Sequence, residues 1–548
     1  MKRYSDFLFP TFVVIIKLVE SILFSSYHID SIYDEGYLMY SIHYAIHGAV
    51  GGSSLWTNMI VALFGERICT SMFSLRIANA VLSIVSGLLF WIITFPKVTR
   101  NRFSSIAYLV LVFFVLSPIS GIILSYNGIS RFMLLLVCAA SFRLFFDDDK
   151  KGGLWALLIG FALSIAFFSI LPSSIIVGGA VCVLLVLRYW KQWKKLLKIF
   201  GALALGIAVA FLIVHFFVAD LKEVYARMSE TARTITKVDR GYDPMSFCIK
   251  ILLFFRDISF YLLTSIGIIV VSLFLKRNGY SWLAFLFYIV AFLLYWRYQN
   301  KPKMSWGMQM SVLWLHPLII KWFGKQLPSI RQLFSFDFVL NLFLCLFPVL
   351  AVMGTNLPLG SKIGWFIAPW ALLAWRLGIE EENMFLRREL FFAFSIVLLI
   401  GYVRQAVLTD TSQTIVNQGP LKGMRLNSAQ EKHFVEVGQI LENYHYQRRK
   451  SVVFSTQLSM ATLCYFESVP CGLFFQPMDF VAHASNELPV PDFLFLCEFD
   501  EMIASEELKS MPWGWPDEFD KYYVGTPETI QTGYPTERWL YCRKCLKE

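Results

Sequence analysis

The chain has 548 residues, of which 57% are hydrophobic, 17% aromatic and only 16% charged, with a net charge of +10. Soluble domains average about 25% charged residues, so this composition excludes a fully water-soluble enzyme. The 51 Phe residues and a mean hydropathy of +0.57 agree. A bilayer accommodates that much apolar surface, provided each stretch reaches about 20 residues. The basic residues sit between apolar runs, as span-flanking anchors do, so nucleic acid is not an expected partner.

The N-terminus reads Met-Lys-Arg and runs into an apolar stretch that carries Lys17 and Glu20. No A-x-A-like cleavage site follows, which predicts a retained first span rather than a cleaved signal peptide. Apolar stretches then recur near 7–24, 71–94, 103–120, 129–146, 154–171, 173–190, 198–218, 257–275, 280–296, 304–322, 336–353, 363–379 and 388–404. They predict an α-helical polytopic membrane protein of about 13 transmembrane helices. Leu171-Pro172-Ser173-Ser174 reads as a tight turn between two of them.

Lys and Arg in the short loops set the orientation. With the N-terminus inside, the inner segments hold about 21 basic residues against about 12 in the outer loops. An odd number of spans then puts residues 405–548 outside. Residues 1–404 form the transmembrane domain, with a first outer loop at 25–70. Residues 405–548 contain Gly-Pro, charged helices at 428–444 and 501–509, and buried-strand runs at 452–454 and 493–496. That pattern predicts a C-terminal soluble α/β domain. No Asn-x-Ser/Thr sequon occurs, which leans towards a bacterial source and an inner-membrane location.

Two outer loops break the charge rule. Loop 219–250 carries Lys222, Arg227, Arg233, Lys237, Arg240 and Lys250; loop 297–303 carries Arg297, Lys301 and Lys303 between aromatic residues. An anionic ligand such as a lipid phosphate explains outer positive charge, because Arg and Lys bind phosphate oxygens through charge-assisted hydrogen bonds. Ordinary surface charge is the other explanation. Of the ten Cys, Cys69, Cys138, Cys182, Cys248 and Cys345 lie in or beside apolar runs and read as small buried hydrophobes. The five in the tail have access to disulfides if that domain is outside. Cys542 and Cys545 make one C-x-x-C with no second pair, a weak metal signal.

The first outer loop holds Tyr33-Asp34-Glu35-Gly36-Tyr37, then Tyr40, Tyr44 and His47. The spacing from Tyr37 places these on one face of a helix lying at the membrane surface, with Asp34 and Glu35 at its start. One explanation is structural: Asp34 as N-cap and Glu35 as a first-turn acid. The other is chemical: a carboxylate in a cleft beside the bilayer takes a proton from a sugar-accepting hydroxyl or amine.

An Asp-Glu pair after the first span, followed by a short amphipathic helix, resembles the membrane glycosyltransferases of the type C (GT-C) fold. These include the protein O-mannosyltransferases and the bacterial transferases that place aminoarabinose on lipid A. Leu63-Phe64-Gly65-Glu66-Arg67 with Ser74-Leu75-Arg76-Ile77-Ala78-Asn79-Ala80, and the turn Ser125-Tyr126-Asn127-Gly128, are similar to stretches of that family. The resemblance covers about the first 200 residues and the span count.

It implies a membrane glycosyltransferase that moves a sugar from a polyprenyl-phosphate donor to an acceptor, with inversion. The acceptor is a glycan, a lipid or a protein. By the same resemblance Asp34 is the base or a metal ligand, with Glu35 in support. The resemblance also sets Arg67 and Arg76 at the donor phosphate, where Arg76 alternatively snorkels to the interface; the basic outer loop adds Arg297, Lys301 and Lys303 to that phosphate clamp. Tyr37, Tyr126, Asn127 and Asn356 are candidate sugar or acceptor contacts, although Asn356 equally fits a simple chain turn. Some branches carry a second acid where this chain has Tyr126 and Asn127, which leaves a divalent metal an open question. The rival classes are a transporter or flippase for a lipid-linked sugar and a non-catalytic subunit of surface-glycan assembly.

Overall fold

The computed structural model describes residues 5–26, 38–39, 41–42, 55–97, 108–110, 112, 123–146, 151–222, 225, 244–299, 316, 335–353, 363–376, 414–426, 428–455, 464–471, 490–497, 516–524 and 538–547. It is an α-helical polytopic membrane protein with a C-terminal α/β domain. Helix α1 (Ser5–Ser25) matches the expected first span. A further apolar helix, α2 (Leu55–Phe64), lies inside the stretch expected to be a loop.

Among the described residues, five helices are long and apolar enough to cross a membrane: α3 (Met72–Thr94), α4 (Tyr126–Phe146), α5 (Gly152–Ser169), α6 (Leu171–Tyr189) and α7 (Trp193–Phe217). Ser71 starts α3 as an extended N-cap whose side chain accepts the Ser74 N–H at 3.2 Å, satisfying one of the orphan amides of a helix start. The α5–α6 junction is tighter than the sequence suggested. Only Ile170 separates the helices, and Pro172 falls in the first turn of α6, where its missing N–H leaves no hydrogen bond unmade.

Helices α8 (Pro244–Arg277) and α9 (Ser281–Gln299) form a hairpin. The chain reverses at Gly279, in the left-handed region at φ 85°, with its N–H on the Lys276 carbonyl; glycine accepts that conformation without a Cβ penalty. At 34 residues, α8 is about 51 Å long, well beyond an apolar core of about 30 Å. Helix α10 (Phe336–Val352) is capped by Ser335, and the short α11 (Ala368–Ala374) is tied to it by Trp370 Nε1–H donating to the Cys345 carbonyl at 2.6 Å. Of the remaining expected spans, only 108–110 and 112 of 103–120 and His316 of 304–322 are described, and 388–404 lies outside the described residues.

Helices α5 and α7 cross at glycines. A Cβ at Gly160 would stand 2.1 Å from the Leu203 carbonyl oxygen, and one at Gly206 2.1 Å from the Leu157 carbonyl oxygen. Backbone contact this close is open only to glycine.

The tail contains a two-stranded ladder, β1 (Thr414–Ile415) with β2 (Arg425–Leu426), then helix α12 (Ser428–Glu442). A five-stranded sheet follows, built from β3 (Val452–Ser455), β4 (Val469–Pro470), β5 (Phe493–Cys497), β6 (Phe519–Tyr523) and β7 (Arg538–Arg543) in the order β4-β3-β5-β7-β6. The β4-β3-β5 part is parallel and the β5-β7-β6 part antiparallel. Phe493, Leu494, Phe495 and Leu496 are all buried, as a central strand covered on both faces requires. The expected strands at 452–454 and 493–496 and the helix from 428 are present; the helix expected at 501–509 lies outside the described residues. Cys464, Cys471, Cys542 and Cys545 of the tail form no disulfide among the described residues.

Candidate functional site

The end of α1, the start of α3 and the start of α4 come together under the tail. The Arg425 N–H donates to the Ser26 carbonyl at 2.8 Å, and the Met72 N–H donates to the Pro420 carbonyl at 2.8 Å. A single tail segment, 420–425, therefore holds both ends of the stretch between Ser26 and Met72. Gly423 sits between those two bonds at φ 86°, and a Cβ there would lie 3.1 Å from the Phe73 ring. The Leu124 N–H donates to the Leu75 carbonyl at 3.1 Å, bringing the approach to α4 against the first turn of α3. One apolar core runs through the junction, from Met72, Leu75 and Leu124 to Leu421, Met424 and Leu426.

Arg76 is fully buried on α3, and its Nη1 donates to the Ser25 carbonyl at 3.2 Å. That carbonyl ends α1 and has no acceptor role within its own helix, so a basic side chain is a natural partner. Arg67 is exposed on the turn between α2 and α3, where its carbonyl accepts the Thr70 hydroxyl at 2.9 Å. Tyr126 and Asn127 open α4 and are half-buried. The Tyr126 ring meets Trp56 of α2 edge-on at 5.7 Å, and the Asn127 carbonyl accepts the Ser130 hydroxyl at 3.1 Å. Thus Arg76, Tyr126 and Asn127 gather at one face, with Arg67 on the turn that leads into it. Arg297 lies in the last turn of α9. Asp34, Glu35, Tyr37, Lys301, Lys303 and Asn356 lie outside the described residues.

Two buried features stand beside these. Lys17 and Glu20, one turn apart on α1, are buried and joined by two 2.9 Å contacts, so each supplies the other's countercharge. Arg131, which sequence reasoning missed, lies on α4 with only 3% of its surface exposed, and its Nε, Nη1 and Nη2 make no hydrogen bond among the described residues. A signal for Arg131 was present: an ionisable residue inside an apolar run, just after the Tyr126-Asn127 turn.

Cys69, in the same junction, is a poor nucleophile. Burial, assisted by the Glu66 charge, pushes its thiol up to about 11, and the thiolate is the reactive form. Among the described residues, no three of His, Cys, Asp and Glu come together as metal ligands.

No protein-family model matches the chain, and no curated protein matches it. Among solved structures it is similar to the Archaeoglobus fulgidus oligosaccharyltransferase in the apo form, at 10% identity and a TM-score of 0.45, over 94% of this chain and 73% of that one. It is similar to the same archaeon's oligosaccharyltransferase AglB in complex with an inhibitory peptide and a dolichol-phosphate, at 10% identity and a TM-score of 0.42. That match covers 85% of this chain and 64% of the archaeal one, so the chain spans less than two thirds of that protein's length. It is similar to ArnT from Cupriavidus metallidurans in the apo state, at 13% identity and a TM-score of 0.43, over 97% of both chains.

Proposed function

We propose that this chain is a membrane glycosyltransferase that moves a sugar from a polyprenyl-phosphate donor to an acceptor at the outer face of a bacterial inner membrane, with inversion. The observation that carries this assignment is the pair of backbone hydrogen bonds from segment 420–425 to Ser26 and Met72. They bracket the stretch that contains Asp34 and Glu35. In the proposed arrangement this acid pair serves a site with the two environments the reaction needs, lipid for the donor tail and water for the acceptor.

In the proposed reaction Asp34 takes the proton of the acceptor hydroxyl or amine. The acceptor atom forms a bond to the anomeric carbon from the face opposite the phosphate. The bond from that carbon to the phosphate oxygen breaks, and its electron pair leaves with the polyprenyl phosphate. Glu35 orients Asp34 or the acceptor. Arg67, Arg297, Lys301 and Lys303 stabilise the leaving phosphate, a contribution of several kcal/mol in a low-dielectric site. Arg76, bonded to the Ser25 carbonyl, holds the ends of the loop in register. Tyr37, Tyr126, Asn127 and Asn356 contact sugar or acceptor, and the tail domain covers the site.

The test is transfer of radiolabelled sugar from a polyprenyl-phosphate donor by the purified full-length protein. General-base removal predicts a loss of about 10²–10⁴-fold in Asp34→Asn at unchanged thermal stability. Full activity in that variant removes Asp34 from the mechanism. Movement of the lipid across the bilayer without transfer marks a flippase, and neither activity marks a non-catalytic subunit. The buried Lys17–Glu20 pair offers little to the flippase alternative, because the two charges neutralise each other.

A further inference from the structure

Helices α4 to α7 carry a concentrated basic surface at the end away from the tail. Ile165 and Phe168 near the end of α5, and Ala210 and Val214 near the end of α7, belong to the core that runs under the tail. The opposite ends meet where the Tyr189 hydroxyl of α6 donates to the Leu144 carbonyl of α4 at 3.3 Å. There the passage from α6 into α7 sets out Arg188, Lys191, Lys194, Lys195 and Lys198, and no Asp or Glu occurs from Gly152 to Ala219. Aromatic rings seat these cations. Arg188 lies over Phe336 at 4.7 Å, Lys191 over Trp190 at 5.7 Å, Lys194 over Trp193 at 5.8 Å and Lys195 over Tyr189 at 4.7 Å. Among the described residues Arg188, Lys191, Lys194 and Lys198 form no ion pair. A ring supplies no oxygen acceptor, so the N–H groups of Lys191 and Lys194 remain available to an anion. Helix stability does not explain the lysines: Lys194, Lys195 and Lys198 stand in the first two turns of α7, the end at which a helix dipole disfavours cations.

The surroundings specify the anion. Trp190 and Trp193 are 66% and 60% exposed, and Trp beside Lys and Arg is the composition of a membrane–water boundary. Beyond Lys198 the chain is free of Asp, Glu, Lys and Arg as far as Ala219, a helical length of about 30 Å that matches an apolar bilayer core. Val183 and Leu187 on α6 and Leu197 on α7 are exposed beside the cations. A ligand that fits carries phosphate at one end and hydrocarbon at the other. We propose that the α6–α7 turn binds the headgroup of an anionic glycerophospholipid, in the leaflet away from the tail. Lys191 and Lys194 hold the phosphate through charge-assisted hydrogen bonds, Trp190 and Trp193 flank it, and Leu187 and Leu197 receive the acyl chains. A soluble acidic partner would match the charges but not the exposed apolar residues beside them. The site is separate from sugar transfer and does not depend on that assignment.

The experiment titrates the detergent-purified full chain with phosphatidylglycerol and, separately, with phosphatidylcholine, and reads bound lipid by native mass spectrometry. Wild type is expected to favour phosphatidylglycerol by about 10-fold or more. Each lysine at an anionic headgroup layer contributes about 5-fold, so Lys191→Gln combined with Lys194→Gln predicts a loss of about 25-fold for phosphatidylglycerol and none for phosphatidylcholine. Trp190→Ala combined with Trp193→Ala keeps every cation that directs insertion and predicts a loss of about 2–5-fold per ring. Lys276→Gln combined with Arg277→Gln, at the end of α8, removes the same charge elsewhere and is expected to leave binding unchanged. Equal affinity of wild type for the two lipids overturns the proposal. So does wild-type phosphatidylglycerol binding in the folded lysine pair; if that pair does not fold, wild-type binding in the tryptophan pair overturns it instead. An equal loss in the Lys276 and Arg277 pair also overturns it, because net charge rather than this turn then governs binding. Displacement of phosphatidylglycerol from wild type by inorganic phosphate overturns the lipid in favour of a free anion.

Discussion

Arg76 and Ser25 lie 51 positions apart in sequence, yet the Arg76 Nη1 donates to the Ser25 carbonyl at 3.2 Å within the buried core. This bond joins the end of α1 to the first turns of α3 and thereby fixes both ends of the loop that carries Asp34 and Glu35. Replacing Arg76 with Met removes a charge-assisted hydrogen bond, a loss of about 1.5–3 kcal/mol. The expected result is a lower melting temperature with an unchanged donor KM in the protein that remains folded. A raised donor KM at unchanged stability would instead return Arg76 to the phosphate site.

The docking of the tail depends on Gly423. At φ 86° with the Phe73 ring 3.1 Å from a would-be Cβ, Gly423→Val meets both backbone strain and a clash. Strain of this kind costs about 1–3 kcal/mol. Limited proteolysis should therefore release the tail faster in Gly423→Val than in wild type, while α3 to α7 stay membrane-inserted. Equal release rates would show that this contact does not hold the domain.

The α5–α7 crossing makes a sharper demand. At Gly160 the obstructing atom is the Leu203 carbonyl oxygen, 2.1 Å from where a Cβ would stand, and backbone has no rotamer with which to escape. Gly160→Val should lower stability by at least about 1–3 kcal/mol, the range for overpacking, and reduce the folded yield. Gly201, on the same α7, has open space around it. Gly201→Ala should be neutral or gain about 0.5–1 kcal/mol, because alanine is the better helix former.

Cys69 supplies a pH signature. Its thiol is raised to about 11 from an ordinary 9.0, so the folded state holds the proton more tightly than the unfolded one. The associated stability is fully present below pH 9 and is lost as pH rises towards 11. The melting temperature of wild type should fall relative to Cys69→Ala across that window. At about pH 8 the exposed Cys545 should react with a maleimide well before Cys69 does.

Much of this fold is visible in the side chains. The apolar run 71–94 announces α3 and the run Phe493-Leu494-Phe495-Leu496 announces a central strand, whereas Pro172, read as part of a tight turn, stands in the first turn of α6. Other parts leave little trace in side-chain patterns. The bonds from segment 420–425 to Ser26 and Met72 are made by backbone groups, which every residue carries alike. The start of α8 at Pro244, inside the stretch 219–250 expected to be a loop, is hidden from hydropathy by Lys250, Arg256 and Asp257, which do not oppose helix formation. Helix α2 is hidden because an apolar run of 10 residues falls short of a span. Of the candidate site, Arg67, Arg76, Tyr126 and Asn127 were legible from motif order. Arg131 shows in the sequence only as an ionisable residue inside an apolar run; its burial without a hydrogen bond among the described residues is a matter of packing.

The central claim is that the loop clamped between Ser26 and Met72 carries the base of a sugar transfer. Its most direct test is single-turnover transfer from a radiolabelled polyprenyl-phosphate sugar by purified wild type and Asp34→Asn, each verified as folded by its melting temperature. The expected result is transfer with inversion in wild type and a loss of about 10²–10⁴-fold in the variant. Equal rates in the two proteins, or no transfer from any polyprenyl-phosphate sugar by wild type, would contradict it.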